Sequence, residues 1–263
     1  MKFVVLVKEV PDTYGDRKLD LATGLADRHA TDAVLDEIGE RALEVALSVA
    51  DARPDAEIIV MTMGPESAVA ALRKGLSMGA DSAVHVVDDG LAGADLGTTA
   101  RVLAAAIRRI EPDVVLTGNL STDGSGGVLA AMVAELLDVP NVTSLASVEF
   151  ADDSVSGRRA VEGGSFTASS ALPAVVSITE ALPDARFPSF RGIMAGKKKP
   201  VETWGLAELE VDGAQSENAR SIVIAVAERP AREAGVKVVD DGGDSAEQLA
   251  DYLVAQRLIG GSR

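Results

Sequence analysis

The 263-residue sequence contains no cysteine, two histidines (His29 and His85) and only 3% aromatic residues. The missing cysteines exclude disulfide scaffolds, cysteine-ligated zinc, iron–sulfur clusters and a cysteine nucleophile. Two isolated histidines supply neither a His-rich metal centre nor a histidine relay. Positive charge is also scarce: 25 Lys and Arg stand against 41 Asp and Glu, a formal net charge of −16. That balance argues against nucleic-acid binding, which needs a basic stripe to neutralise phosphates. It suits a soluble protein kept dispersed by self-repulsion. Long apolar runs are absent. The N-terminal run before Lys8 is too short for a secretion signal, and nothing approaches the roughly 18 apolar residues of a membrane span. The expectation is a cytoplasmic prokaryotic protein with no direct membrane insertion.

What the chain does have is aliphatic bulk. Hydrophobic residues make up 47%, ample for a sizeable core, and the length suits one large domain or one domain with an extension. Apolar runs at residues 2–7, 57–63, 82–87, 114–117 and 174–179 read as buried strands. Residues 36–53, 65–78, 95–109 and 124–137 carry apolar positions at helical spacing. Such alternation predicts an α/β fold with parallel strands joined by right-handed crossovers. Ligands then sit beyond the carboxyl ends of the strands, which puts residues 6–12, 63–65 and 118–127 on one rim. Residues 142–150, 157–162 and 165–169 read as an antiparallel meander, residues 182–200 as a long loop and residues 221–226 as a further strand. Residues 227–244 form an extended polar arm. A C-terminal helix follows at 245–258, with Ser245 as N-cap. The domain boundary therefore falls between 1–226 and 227–263.

Three segments could carry function. The first is Gly118-Asn119-Leu120-Ser121-Thr122-Asp123-Gly124-Ser125-Gly126-Gly127, between a strand and a helix. Small residues let backbone amides approach an anion, and a helix start adds partial positive charge. The pattern points to a nucleotide or phosphate. It is neither a Walker A loop nor the dinucleotide fingerprint. Asp123 would repel phosphate, so it caps the helix, shapes the loop or meets a ribose hydroxyl. The second segment, Met63-Gly64-Pro65, is a strand–helix turn on the same rim. The third spans residues 183–199. It gathers Arg186, Arg191, Lys197, Lys198 and Lys199 against one acid, Asp184, with Phe187, Phe190, Ile193 and Met194 among them. Apolar anchors ringed by steering charges read as a protein-docking element. The pairs Asp88-Asp89, Asp152-Asp153 and Asp240-Asp241 read as solvated turns, and His85 as structural. No acid, base and nucleophile set stands out.

Several of these residues belong to longer motifs. They are Val7-Lys8-Glu9-Val10-Pro11-Asp12, Leu35-Asp36-Glu37-Ile38, Leu76-Ser77-Met78-Gly79-Ala80-Asp81 and Ser121-Thr122-Asp123-Gly124. Leu172-Pro173-Ala174-Val175, Arg186-Phe187-Pro188-Ser189-Phe190, Gly192-Ile193-Met194 and Arg232-Glu233-Ala234-Gly235-Val236-Lys237 complete the set. Together, and end to end, they resemble the beta subunit of electron-transfer flavoprotein in its actinobacterial form. The resemblance implies a three-layer α/β/α sandwich, adenine-nucleotide hydrolase-like, with a mostly parallel sheet. It implies a heterodimer with an alpha subunit that holds most of one FAD, and AMP in the beta subunit.

Electrons would pass from acyl-CoA and other flavin dehydrogenases to an electron-transfer-flavoprotein:quinone oxidoreductase, so the chain is expected to be a carrier subunit and not an enzyme. AMP contacts carried over from the family fall at Leu6, at Asp36, Glu37, Ile38 and Gly39, at Met63, and along the loop from Gly118 through Val128 and Leu129. Flavin-facing positions fall at Thr13 or Tyr14 and at Ile38. Residues 185–199 correspond to the recognition loop, with Phe190 in place of its leucine anchor, and the arm and helix after residue 226 would pack on the partner subunit. Two other readings stand beside this one: a flavin-bifurcating relative with FAD in place of AMP, and a stand-alone adenine-nucleotide enzyme of the same superfold.

Overall fold

Each apolar run at the start of a βα repeat becomes a strand buried on both faces. In chain order the elements are β1 (Lys2–Leu6), β2 (Glu9–Pro11), β3 (Ala33–Leu35), α1 (Glu37–Ala52), β4 (Glu57–Met63), α2 (Val69–Met78), β5 (Ser82–Val86) and α3 (Leu96–Ile110). They continue with β6 (Val114–Gly118), α4 (Leu129–Leu137), β7 (Asn141–Phe150), β8 (Ser154–Val161), β9 (Gly164–Ala171), β10 (Ala174–Ile178), α5 (Phe190–Gly196), β11 (Val201–Trp204) and α6 (Ser245–Ala255). The computed structural model describes residues 1–15, 17–212, 219–232, 234–235, 237–239 and 242–259. It divides into two units, Met1–Val226 and Ala227–Arg263.

In the first unit, nine strands form one sheet in the order β11-β5-β4-β1-β6-β10-β7-β8-β9. Neighbours from β11 to β7 pair in parallel, and β7-β8-β9 run antiparallel, as the meander expectation had it. Strand alternation splits the core into two layers. Phe3, Val5 and Val7 face α1 and α2 through Leu43, Leu47, Leu72 and Leu76. Val4 and Leu6 face α3 and α4 through Leu103, Ile107 and Val133. The fold is thus a three-layer α/β/α sandwich. Each fully buried Leu, Ile or Phe contributes about 1.5–3 kcal/mol.

Several elements differ from the sequence expectation. The helix expected from Gly124 starts at Leu129, because Ser125 (φ 49°) and Gly127 (φ 66°) adopt left-handed backbone that no right-handed helix contains. The expected loop at 182–200 contains α5, hidden by its two glycines but started by Ser189, whose Oγ accepts the Gly192 amide at 3.1 Å. Residues 221–226 form no strand. Ile222 and Ile224 are 77% and 91% exposed, and a β-branched pattern alone supplies no neighbouring ladder. The short strands β2, β3 and β11 were not expected. β2 and β3 pair as an antiparallel ribbon at the base of the 12–32 excursion, and β11 adds a parallel edge to β5.

Two side chains depart from their expected settings. Ser245 is the first residue of α6, not its cap; Asp244 precedes the helix and makes no side-chain cap bond. Asp88 organises a turn by accepting the amides of Gly90 and Leu206. Asp240-Asp241 and the Glu233 and Val236 positions of the arm motif lie outside the described residues. No helix among the described residues is long and apolar enough to cross a membrane.

Gly157 in β8 shows how tightly the meander is closed. A Cβ there would overlap the Ser147 carbonyl oxygen and lie 2.7 Å from Leu145 Cδ1. Gly157→Val should therefore destabilise the first unit by roughly 1–3 kcal/mol through overpacking. An unchanged denaturant midpoint would show that this contact does not constrain the fold.

Candidate functional site

The strand order reverses at β1. The chain moves from β1 outward through β4 and β5, then returns to β6 on the other side. Ligands in open α/β sheets bind at such a switch point, beyond the carboxyl ends of the strands. Here those ends are Leu6 of β1, Met63 of β4 and Gly118 of β6. The first turn of α1 closes on them. A Cβ on Gly118 would stand 2.6 Å from Ile38 Cγ1, and one on Gly39 would meet Val7 Cα at 3.5 Å.

Asp36 ties the helix start to the loop. Its carbonyl accepts the amides of Gly39 and Glu40 at 2.9 and 3.0 Å. Its side chain makes no cap; instead Oδ2 accepts the Thr122 amide at 2.9 Å. The residue is 2% exposed, and its Oδ1 has no partner. Burial pushes the Asp36 carboxyl above its ordinary range; the amides of Thr122 and Ile38 oppose the rise and the charge on Asp123 adds to it. An unpaired buried acceptor costs about 1–3 kcal/mol, so the site is built with an unmet demand for a donor.

The glycine-rich loop folds around Ser121. Its Oγ accepts the Gly124 amide at 3.3 Å, and its carbonyl accepts the Ser125 amide at 2.9 Å. Beyond it, the amides of Gly126, Gly127, Val128 and Leu129 find no acceptor among the described residues. The left-handed turns at Ser125 and Gly127 and the start of α4 thus leave a run of donors for an anion. A Cβ on Gly127 would meet nothing within 4 Å, whereas one on Gly126 would approach Leu96 Cδ1 at 3.2 Å. Asn119 holds the loop root, donating its amide to Ile178 O at 2.8 Å. Leu120 and Val128 are exposed.

Of the three roles expected for Asp123, the structure supports loop shaping. Helix α4 starts too late to be capped by it. Its side chain is 5% exposed and accepts from Lys8 Nζ at 2.8 Å and Arg28 Nη2 at 3.0 Å. Burial would push its carboxyl up, but the Lys8 hydrogen bond and charge, with Ser121 and Arg28, outweigh it and hold the group at about 2. Arg17 donates to the Thr122 carbonyl. Lys8 belongs to the 6–12 segment expected on this rim, whereas Arg17 and Arg28 were not expected at the loop. Arg17 and Arg28 belong to the 12–32 excursion, whose arrival on the loop no local pattern announces. Thr13 and Tyr14 lie in the same excursion, both exposed, with Tyr14 97% so.

The Met63 turn is held by His85. This residue is 4% exposed, and its Nε2 lies 3.2 Å from Gly64 O and 3.1 Å from Pro65 O. Two carbonyls can only accept, so Nε2 carries a proton. The histidine is structural, as expected.

The segment expected to dock a protein contains a short helix, α5, seated on α2. Cβ atoms on Gly192 and Gly196 would strike Ser77; the second would lie 2.5 Å from Ser77 Oγ. Arg73 donates to the carbonyls of Gly196 and Lys199 at 2.9 and 2.8 Å, fixing the far end. The glycine face is thereby buried, and Phe187, Phe190, Ile193 and Met194 are left exposed, the two phenylalanines at 95% and 82%. The basic residues divide into two kinds. Arg186 is locked onto α1, with Nε on Glu44 Oε2 and Nη2 on Asp51 Oδ2, both at 2.8 Å. These carboxylates raise the Arg186 pKa. Lys199 donates to Gly79 O and Ala80 O. Arg186 and Lys199 therefore position the loop, whereas Arg191, Lys197 and Lys198 are exposed.

The Asp123 cluster makes a pH prediction. A folded value of about 2 against an ordinary 3.8 means its stabilisation is complete above about pH 4 and is lost as pH falls toward 2. Allowing for the solvent exposure of Lys8 and Arg28, the effect is about 1–2 kcal/mol. Asp123→Asn should flatten the loss of stability between pH 4 and pH 2, read from denaturation midpoints. Parallel pH profiles for the two proteins would show that the cluster contributes nothing.

Comparison with known proteins places this geometry in a family. The model for the electron transfer flavoprotein domain matches residues 23–209. The chain is 47% identical to the electron transfer flavoprotein subunit beta of Mycobacterium leprae, over 97% of this chain and 98% of the relative. It is 46% identical to the Mycobacterium tuberculosis protein of the same name, with the same coverage. The caffeyl-CoA reductase-Etf complex subunit CarD of Acetobacterium woodii is 35% identical over 78% of each chain. With more than half its length matched by the family model and near-complete alignment to the mycobacterial proteins, this chain belongs to the electron transfer flavoprotein family.

Proposed function

We propose that this chain is the beta subunit of a heterodimeric electron transfer flavoprotein, a carrier and not an enzyme, working in the cytoplasm. The observation that carries the nucleotide half of this reading is the run of unpaired amides before α4, beside the buried Asp36 with its unpartnered oxygen. A nucleoside monophosphate supplies both missing partners: phosphate oxygens for the amides and ribose or base donors for the carboxylate. The residues that would hold AMP are Leu6, Asp36 to Gly39, Met63 and the loop from Gly118 to Leu129.

The second unit supports the heterodimer. None of its described residues is buried, and α6 exposes Leu249, Tyr252 and Val254. A segment without a core needs a surface to fold against, and the alpha subunit is that surface. FAD, held mainly by that subunit, supplies the redox chemistry when bound. Thr13 or Tyr14 and Ile38 face it, exclude water and set its surroundings. The α5 segment docks acyl-CoA and other flavin dehydrogenases: Phe190 enters an apolar pocket while Arg191, Lys197 and Lys198 steer an acidic rim. Onward transfer goes to an electron-transfer-flavoprotein:quinone oxidoreductase.

Co-purification with the alpha subunit followed by nucleotide extraction tests the assignment. One FAD and one AMP per heterodimer are expected, and two FAD would overturn the AMP site in favour of a bifurcating subunit. Phe190→Ala should slow reduction by a dehydrogenase about tenfold with FAD content unchanged. Unaltered coupled kinetics would remove Phe190 as the anchor.

A further inference from the structure

Among the described residues, the tip of the glycine-rich loop concentrates positive charge in a chain whose net charge is −16. Lys8 reaches it from the end of β1 and Arg28 from the 12–32 excursion, and both converge on Asp123. The two cations face one carboxylate, so the cluster retains a net positive charge. Its donors are not exhausted. The Lys8 ammonium meets Asp123 and, at 3.4 Å, Ser121 Oγ. The Arg28 guanidinium meets Asp123 and, at 3.4 Å, Glu9 O, leaving further N–H groups of its fork. Both side chains remain about 40% exposed, whereas the Asp123 side chain is 5% exposed. An incoming anion can therefore reach the cations without first displacing buried structure. The unpaired amides of Gly126 to Leu129 lie in the same loop.

We infer that Lys8 and Arg28 are charged ligands of the nucleotide's phosphate, and that Asp123 is an internal anion competing for them. The inference rests on the AMP reading above. A terminal phosphate monoester suits the pair better than a diphosphate linkage does. It presents terminal oxygens to the arginine fork and carries nearly two charges on one group. In the nucleotide-free chain Asp123 draws on both cations, and the phosphate competes with it for their charge. The excursion then contributes to binding through Arg28, and Lys8 does so from the connection between β1 and β2.

The test uses the full-length chain in complex with its partner subunit, stripped of nucleotide, and titrated calorimetrically with AMP and with adenosine. Arg28→Gln should weaken AMP about tenfold and leave adenosine within about twofold, because a charge-assisted hydrogen bond to phosphate is lost and the nucleoside contacts are kept. Lys8→Met should act in the same direction. Asp123→Asn should raise the preference for AMP over adenosine severalfold, the opposite sign from Arg28→Gln; an unchanged or lowered preference would remove Asp123 as the competitor. Equal AMP affinity in wild type and Arg28→Gln, or equal weakening of AMP and adenosine, would overturn the inference while leaving the AMP site intact. A wild-type complex that binds neither ligand would remove the AMP reading and this inference together.

Discussion

The hydrogen bond from the Thr122 amide to the buried Asp36 carboxylate joins the two halves of the candidate site. It links the start of α1 to the loop after β6, across the point where the strand order reverses. The rest of the rim follows from it. With the side chain of Asp36 turned to the loop, the α1 N-terminus goes without a side-chain cap and relies on backbone bonds. With Thr122 fixed, Ser121 and Asp123 are held where they meet the Gly124 amide and the Lys8 ammonium. One carboxylate remains buried and one-sided, a cost that a packed core tolerates only where something else offsets it.

A second constraint acts on the α5 segment. Close approach to Ser77 allows only glycine at positions 192 and 196, so one face of a seven-residue helix is fixed and the opposite face is displayed. Arg186, which in sequence is one charge among five, is locked between Glu44 and Asp51. It holds the segment from one side while Arg73 holds it from the other. The side chains left exposed are fewer than the charge count suggests: Phe187, Phe190, Ile193, Met194, Arg191, Lys197 and Lys198. Both segments are thus held by ion pairs and tight glycine contacts at loop roots.

Much of this was legible in the residues. Strands buried on both faces leave continuous Val, Leu and Ile runs, and amphipathic helices leave a 3.6-residue period, so the parallel sheet and its flanking layers could be read directly. The glycine-rich loop was visible as a cluster of Gly, Ser and Thr between a strand and a helix. Less legible were α5, whose glycines contradict helix propensity and are explained only by the contact with Ser77, and β11, too short to show a period. The 221–226 segment has a strand's composition and no strand to pair with.

By itself, the sequence determined the layer architecture, the rim on which loops collect and the presence of a small-residue loop between β6 and α4. These depend on local periodicity and on residue size. Only the tertiary structure decided which charges meet. Lys8 and Asp123, Arg28 and Asp123, and Arg186 and Glu44 are separated by 115, 95 and 142 positions. Pairing at such distances depends on where crossovers and excursions return the chain, and that is a property of the folded sheet, not of any local stretch of residues.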